Sequence, residues 1–265
     1  MRIKRGRSLS GAFRFLATMP GDIVIYFAPH FPSFTEPIVS PRFRAFLEAC
    51  NVCVLEWGDR WTTYEPELES LFNRLSRGEL RWVVSRRLGR TLNPFDAQLQ
   101  NAIRGTNREI TLERPPVEYV FIEEGDVTSL AREGRLGEAV SLYRSQLRLL
   151  IWNLNDRDRA LVQLLKKLRT TTNLFVFRGA DHERFLRHAL SEENIGATWY
   201  VYEEPPLLRR LIGSLSMGEQ VSDADLQRVI FAMTQRRTGD YPEFVRLQRE
   251  AETMSQLDVL SRFSS

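Results

Sequence analysis

The chain has 265 residues, of which 43% are hydrophobic and 27% charged, and its formal net charge is only +3. These values describe a globular chain with a full core and exclude a disordered or collagen-like polypeptide. Arg and Lys interleave with Asp and Glu along most of the sequence, which is the pattern of a solvated surface and implies no nucleic-acid partner. No run approaches the roughly 18 apolar residues that a membrane-spanning helix needs, so the sequence reads as soluble.

Residues 1–20 break that mixture. Arg2, Lys4, Arg5, Arg7 and Arg14 all precede the first acid, Asp22. A secretory signal requires an apolar stretch of about 7–15 residues after its charges, and Ser8, Ser10, Gly11 and Arg14 interrupt any such stretch. The segment reads as a basic, flexible N-terminal arm; contact with an anionic surface or organelle targeting are the other readings. Cys50 and Cys53 form a C-x-x-C, but it follows a helical stretch instead of opening one, so no helix dipole activates the first thiol. No further cysteine exists to complete a zinc site of that kind. Both read as buried structural thiols in a reducing compartment, which points to a cytoplasmic location.

In chain order, residues 22–27 (DIVIYF) form a short apolar, β-branched and aromatic run typical of a buried strand, stopped by a loop with Pro29 and Pro32. Ser40 as N-cap and Pro41 in the first turn introduce a helix over 42–49. Residues 52–55 (VCVL) are the next buried strand, and the strand–helix–strand order predicts a parallel unit. Helical spacing runs over 65–76, closed by Gly78, and again over 94–103, while 79–92 carries no clear pattern. Residues 117–122 (VEYVFI) predict a strand ending in Glu123, Glu124 and Asp126. Helices are predicted over 126–133, 136–154 and 156–168. The piece LAREGRLGEAVSLYR resembles one tetratricopeptide hairpin, but a single copy builds no solenoid and reads as an ordinary helix pair. A strand over 173–177, a helix over 183–191 and a strand over 197–202 follow. After Pro205 and Pro206 the chain is helical: 207–214, 222–236 with Ser222 as N-cap, and 241–260. The alternation predicts an α/β fold with a mostly parallel central sheet flanked by helices. The expected organisation is an arm at 1–20, an α/β domain at 21–204, and a helical C-terminal extension at 205–265 packed on the same domain, with a homodimer through those helices as a candidate.

Ligands of parallel sheets gather outside the carboxyl ends of the strands. His30 follows the first predicted strand, Glu56 the second, and His182 the strand at 173–177. Two of the chain's three histidines thus fall at equivalent strand ends; His188, on another helical face, reads as a surface residue. The sequence holds no phosphate-binding loop, dinucleotide fingerprint, nucleophile elbow or H-E-x-x-H. Trp57, Trp61 and Trp199 stand near the same strand ends, as pocket lining or as core.

The same residues carry a family resemblance. IYFAPHF, a helix and then NVCVLEWGDR resemble the first half of the TraB/PrgY–Tiki superfamily, which includes erythromycin esterase-like and ChaN-like proteins. There a G-x-x-H after a strand is followed by a helix and a strand ending in Glu, often near an Arg; His30, Glu56 and Arg60 take those positions. Asp156-Arg157-Asp158, LFVFRGADH, Gly196 and ATWYVY resemble the second half, an E-R-[DN] helix and a second G-x-x-H. Two positions depart: Phe27 replaces the first glycine and Asp156 the glutamate. The resemblance spans about residues 22–202 and leaves the C-terminal helices without a counterpart.

The resemblance implies a hydrolase, peptidase- or esterase-like, acting on a small molecule or peptide with His30, Glu56, Arg157 and His182 as catalytic residues. His30 or Glu56 would serve as general base, His182 as a second base or, with His30 and Glu56, as ligand of a divalent metal (Mn, Co or Zn). Arg157 would meet an oxyanion or hold a carboxylate. The alternative is a non-catalytic haem-, metal- or peptide-binding regulatory protein on the same scaffold. A third reading makes these residues a buried, hydrogen-bonded polar cluster.

Overall fold

The computed structural model describes residues 21–30, 34–56, 66–83, 94–113, 122–169, 172–237 and 240–263. Its strands are β1 (Ile23–Ala28), β2 (Val52–Leu55), β3 (Glu109–Leu112), β4 (Leu174–Gly179) and β5 (Thr198–Val201), all parallel, in the order β3-β2-β4-β1-β5. Between β1 and β2 lie α1 (Glu36–Val39) and α2 (Pro41–Ala49); between β2 and β3, α3 (Pro66–Ser76) and α4 (Pro94–Ile103). The chain reaches β4 through α5 (Glu124–Arg132) and α6 (Leu136–Leu168), and β5 through a single 3-10 turn, Ala180–His182, and α7 (Glu183–Glu192). Four helices follow: α8 (Leu207–Ser216), α9 (Asp223–Gln235), α10 (Tyr241–Thr253) and α11 (Gln256–Ser261). The chain thus adopts the expected α/β fold, a parallel sheet flanked by helices with a helical C-terminal region.

Strand composition follows position in the sheet. β1, β2 and the first five residues of β4 are buried throughout, as strands covered on both faces must be. The edge strands β3 and β5 are only partly buried. Side chains alternate between two layers. Val24, Tyr26, Cys53, Leu55, Phe175 and Phe177 pack against α2, α3 and α4. Ile23, Ile25, Phe27, Val54, Leu174 and Val176 face α6 and α7. Within the first layer Tyr26 meets Phe43 edge-on at 5.7 Å, and its hydroxyl donates to the Pro37 carbonyl at 3.0 Å.

α6 joins two cores. Its C-terminal half lays Leu161, Val162 and Leu165 on the sheet, while Val140, Tyr143, Leu147 and Leu150 pack with α5, α8, α9 and α10. Its 33 residues span about 50 Å at 1.5 Å per residue. The sequence predicts two helices here; the structure runs them into one, and the polar stretch that suggested a break is the part passing over the site. Conversely, the single helix predicted over 241–260 divides at Met254-Ser255, where Ser255 caps α11 by accepting from the Asp258 amide.

The predicted caps at Ser40 and Ser222 accept from the Phe43 and Asp225 amides at 3.2 and 3.1 Å. Gly78 ends α3 with φ +77°, a conformation open to glycine at little cost. β3 was not predicted from the sequence, and the strand predicted over 117–122 lies outside the described residues except for Ile122, which is not in a strand. Cys50 and Cys53 are buried free thiols; burial pushes the Cys50 thiol up to about 12 and raises Cys53 as well, so both stay protonated. Among the described residues no helix is long and apolar enough to cross a membrane.

Candidate functional site

Topology fixes where the site must sit. β1 and β2 send their outgoing chains to the layer of α2, α3 and α4, whereas β4, lying between them, sends its own to the α7 side. Neighbouring strands whose connections leave on opposite faces open a crevice at their carboxyl ends. His30, Glu56 and His182 stand at that crevice, and the structure brings all three together.

Strand parity then selects the charged groups. Leu55 pairs with Phe177 on β4 and with Leu112 on β3. Continuing this register by one residue sets Glu56 beside Arg178 and Glu113. The backbone holds it: the Glu56 amide donates to Phe177 O at 3.1 Å, and the Glu113 amide to Leu55 O at 3.0 Å. All three side chains alternate onto the α6 face, where α6 supplies Arg157 and Asp158.

The result is a buried ionic cluster. Arg157 Nη2 donates to Glu56 Oε1 at 2.9 Å and lies 3.5 Å from Glu113 Oε2. Arg178 donates through Nη1 to Glu113 and through Nη2 to Asp158 Oδ1 at 2.8 Å. His182 Nδ1 reaches the same Asp158 oxygen at 2.9 Å, and its Nε2 reaches Glu56 Oε1 at 3.1 Å. The 3.1 Å approach of Arg178 Nη2 to His182 Nδ1 follows from two donors sharing one acceptor. Glu56 Oε2 accepts the Gly179 amide at 2.5 Å. Among the described residues three carboxylates (Glu56, Glu113, Asp158) face two guanidiniums and His182, so their charges balance when His182 is an imidazolium.

Proton affinities agree with that balance. Burial and Arg178 both lower His182, but Asp158 and Glu56 outweigh them and raise it above its ordinary value. Burial raises Glu56, yet Arg178, His182 and Arg157 hold its carboxyl well below the usual range. Burial also raises Asp158, which His182 and Arg157 offset only in part. His30 behaves oppositely. Desolvation brings it down to about 4 despite the pull of Glu56, so it is neutral at pH 7. Its Nδ1 lies 3.7 Å from Glu56 Oε2, and its ring packs on Phe177 and Phe95 at 4.7 and 5.1 Å. A carboxylate on the Nδ1 side favours the tautomer with the proton there, leaving Nε2 an acceptor. Nε2 is shielded from solvent and has no hydrogen-bond partner among the described residues.

None of the three comparisons, with family models, curated proteins and solved structures, finds a match.

His30, Glu56 and His182 line a cavity of about 340 Å³ whose far wall comes from α6, α8, α10 and Arg236. The C-terminal helices therefore enclose the site. Arg157 is buried behind Glu56 and does not line the cavity; of its two expected roles it fills that of carboxylate holder. Phe27 lies on the α6 and α7 face, in register with Arg178, where it stacks on Trp199 at 6.1 Å and does not line the cavity. In the β1–β4 register it is Ala28, not Phe27, that lies opposite Gly179. His188 is exposed beside Glu192 at 3.3 Å. Arg60, Trp57 and Trp61 lie outside the described residues.

Among the described residues, two of the three donors expected for a metal ion or haem are already engaged. His182 uses both ring nitrogens on carboxylates, and Glu56 already accepts an arginine, an imidazole and an amide. Among the described residues no group of three His, Cys, Asp or Glu is placed to hold a metal ion. Sequence reasoning overlooked Arg178, Glu113, Asp181, Arg209 and Tyr241. A lone arginine in the apolar run NLFVFRG was the available signal, because a charge in a buried strand demands buried partners.

Gly179 is the close-approach position. A Cβ there would stand 2.9 Å from Glu56 Oε2, so Gly179→Ala must displace the carboxylate and break its amide bond. The expected loss is about 1–3 kcal/mol in chemical denaturation. An unchanged midpoint would mean that the carboxylate is not fixed by this contact.

Proposed function

We propose that this protein is a metal-independent hydrolase of small carbonyl compounds, with His30 as general base. One observation carries the reading: a neutral imidazole, its Nε2 without a hydrogen-bond partner among the described residues, lines a cavity beside a carboxylate fixed by cations. An unpartnered buried acceptor costs about 1–3 kcal/mol, so a water or substrate hydroxyl that reaches Nε2 is favoured there. His30 Nε2 takes a proton from that water while the oxygen attacks the carbonyl carbon. The proton then passes to the departing alcohol or amine as the carbon–heteroatom bond breaks. Glu56 orients His30 through Nδ1 and stabilises its transient positive charge, the division of labour of acid–histidine pairs. His182, Arg157 and Arg178 are positioning residues that keep Glu56 ionised and still. The charge on the carbonyl oxygen falls to Arg209, which lines the same cavity and whose Nη1 has no hydrogen-bond acceptor among the described residues. The stretches ending in His30, with Phe27 in place of the glycine, and in His182 resemble the paired G-x-x-H motifs of the TraB/PrgY–Tiki superfamily and support a hydrolytic reading as well.

The test is a panel of chromogenic esters and anilides assayed with a chelator present. Hydrolysis is expected to survive chelation and to fall at least 100-fold, roughly 2.7 kcal/mol of transition-state stabilisation, in His30→Asn. The acid limb of kcat/KM is expected near pH 4, where His30 gains its proton. Full activity of His30→Asn, an acid limb near 6.5, or no turnover of any compound would each sink the assignment.

A further inference from the structure

Resting on that reading, we infer that the ligand of the 340 Å³ cavity is a neutral, largely apolar small molecule, a short-chain ester or amide. The two walls differ in chemistry. α6 contributes Leu150 and Leu154, α8 contributes Leu208 and Ile212, and α10 contributes Phe244. The i, i+4 spacing on α6 and α8 turns each pair to the same side of its helix. The result is an apolar half able to hold an alkyl or aryl chain.

Among the described residues the charged groups facing it cancel: three acids line the cavity, Glu56, Asp181 and Glu124, and three cations, His182, Arg209 and Arg236. Each acid has a partner: Glu56 with His182 at 3.1 Å, Asp181 with Arg209 at 3.3 Å, Glu124 with Arg236 at 2.7 Å. Arg209 is held further by the Tyr241 hydroxyl at 2.8 Å. An ionic ligand would either bring a charge with no counter-ion into an apolar enclosure or break one of these pairs, and both are unfavourable. A neutral carbonyl avoids both and acquires charge only in the transition state, when stabilisation accelerates the reaction. The volume lies at the lower end of the ~300–1,000 Å³ of small-molecule sites, a match for a short-chain compound.

Binding, read without turnover, separates this inference from the hydrolase reading. Hexanamide, hexanoate and hexylammonium share a chain and differ in charge. By ligand-observed NMR at pH 7, hexanamide is expected to bind at least tenfold more tightly than either ion. Ile212→Phe, which fills the apolar half, is expected to weaken hexanamide at least tenfold. Phe244→Ala, which enlarges that half, is expected to shift the preference toward decanamide, and it serves should the first variant not fold. Equal or tighter binding of an ion, no binding of hexanamide, or a chain-length preference untouched by Phe244→Ala would overturn the inference. Ester hydrolysis without the charge preference would leave the hydrolase reading standing and this one fallen; selective amide binding without turnover would do the reverse.

Discussion

Replacing Arg178 with methionine is expected to lower stability by about 3–5 kcal/mol, the cost of leaving buried charges without their partner. Arg178 is 1% exposed and is the cation shared by Glu113 and Asp158, with Glu56 a further 3.7 Å from its Nη1. Methionine fills much of the same volume, so lost packing is a minor part of the effect and the uncompensated carboxylates are the major part. A coupling experiment isolates the charge. Combining Arg178→Met with Asp158→Asn removes one anion with the cation, and the pair is expected to cost clearly less than the sum of its singles. Midpoints from urea unfolding read both quantities. A loss under 1 kcal/mol for the single variant, or strict additivity in the pair, would mean that the cluster is not electrostatically coupled.

The cluster matters because it gives Glu56 a fixed place and charge at the cavity without reliance on loop residues. Its members come from the ends of β2, β3 and β4, the 3-10 turn and the middle of α6. A general base oriented by such a carboxylate gains from rigidity, since errors of tenths of an ångström in the orienting group pass directly to the reacting atom. The same packing explains why Gly179 must lack a side chain and why Glu56 and His182 are poor bases despite their position. Both already hold several partners, whereas His30 Nε2 has none among the described residues.

Much of this was legible in the sequence, and the exceptions have physical causes. β1, β2 and β4 announce themselves as apolar runs because both faces are covered. β3 (EITL) is an edge strand of four residues with only two buried side chains, too short for its alternation to stand out. The stretch around Asn153, Asn155 and Asp156 reads as a helix break because polar residues interrupt the apolar spacing. In the fold α6 passes there from one core to the other, and buried Arg157 and Asp158 meet Glu56, Arg178 and His182 instead of hydrocarbon. His30, Glu56 and His182 were singled out by strand-end position, and Arg157, on a helix, only through the family resemblance. Glu113 could not be, since its strand was not recognised. Arg209 and Tyr241 could not be either, because nothing local indicates that helices after Pro206 fold back over the sheet.

The opposing shifts of the two histidines make a pH experiment decisive. His30 titrates near 6.5 when unfolded and about 4 when folded. Between those values the unfolded chain binds a proton that the native state refuses, so stability is present above about 6.5 and is lost as pH falls toward 4. The integrated loss is roughly 3 kcal/mol at 1.36 kcal/mol per pH unit. Glu56, held low in the fold, contributes stability above its unfolded value near 4.3, lost only at still lower pH. His182 acts on the other side: its folded value is raised, so its contribution is complete below about 6.5 and disappears as pH rises through the folded value. Asp158, raised by burial, takes up its proton more readily in the native state and opposes the acid loss, but it is common to wild type and variant and cancels between them. His30→Asn removes one titration from this set. Its unfolding free energy is therefore expected to be much flatter than that of wild type between pH 6.5 and 4.5 and to run parallel to it above pH 7. If both proteins keep the same slope in the acid window, His30 is not held neutral by its surroundings, and its role as a base free of its proton well below pH 7 falls with that result.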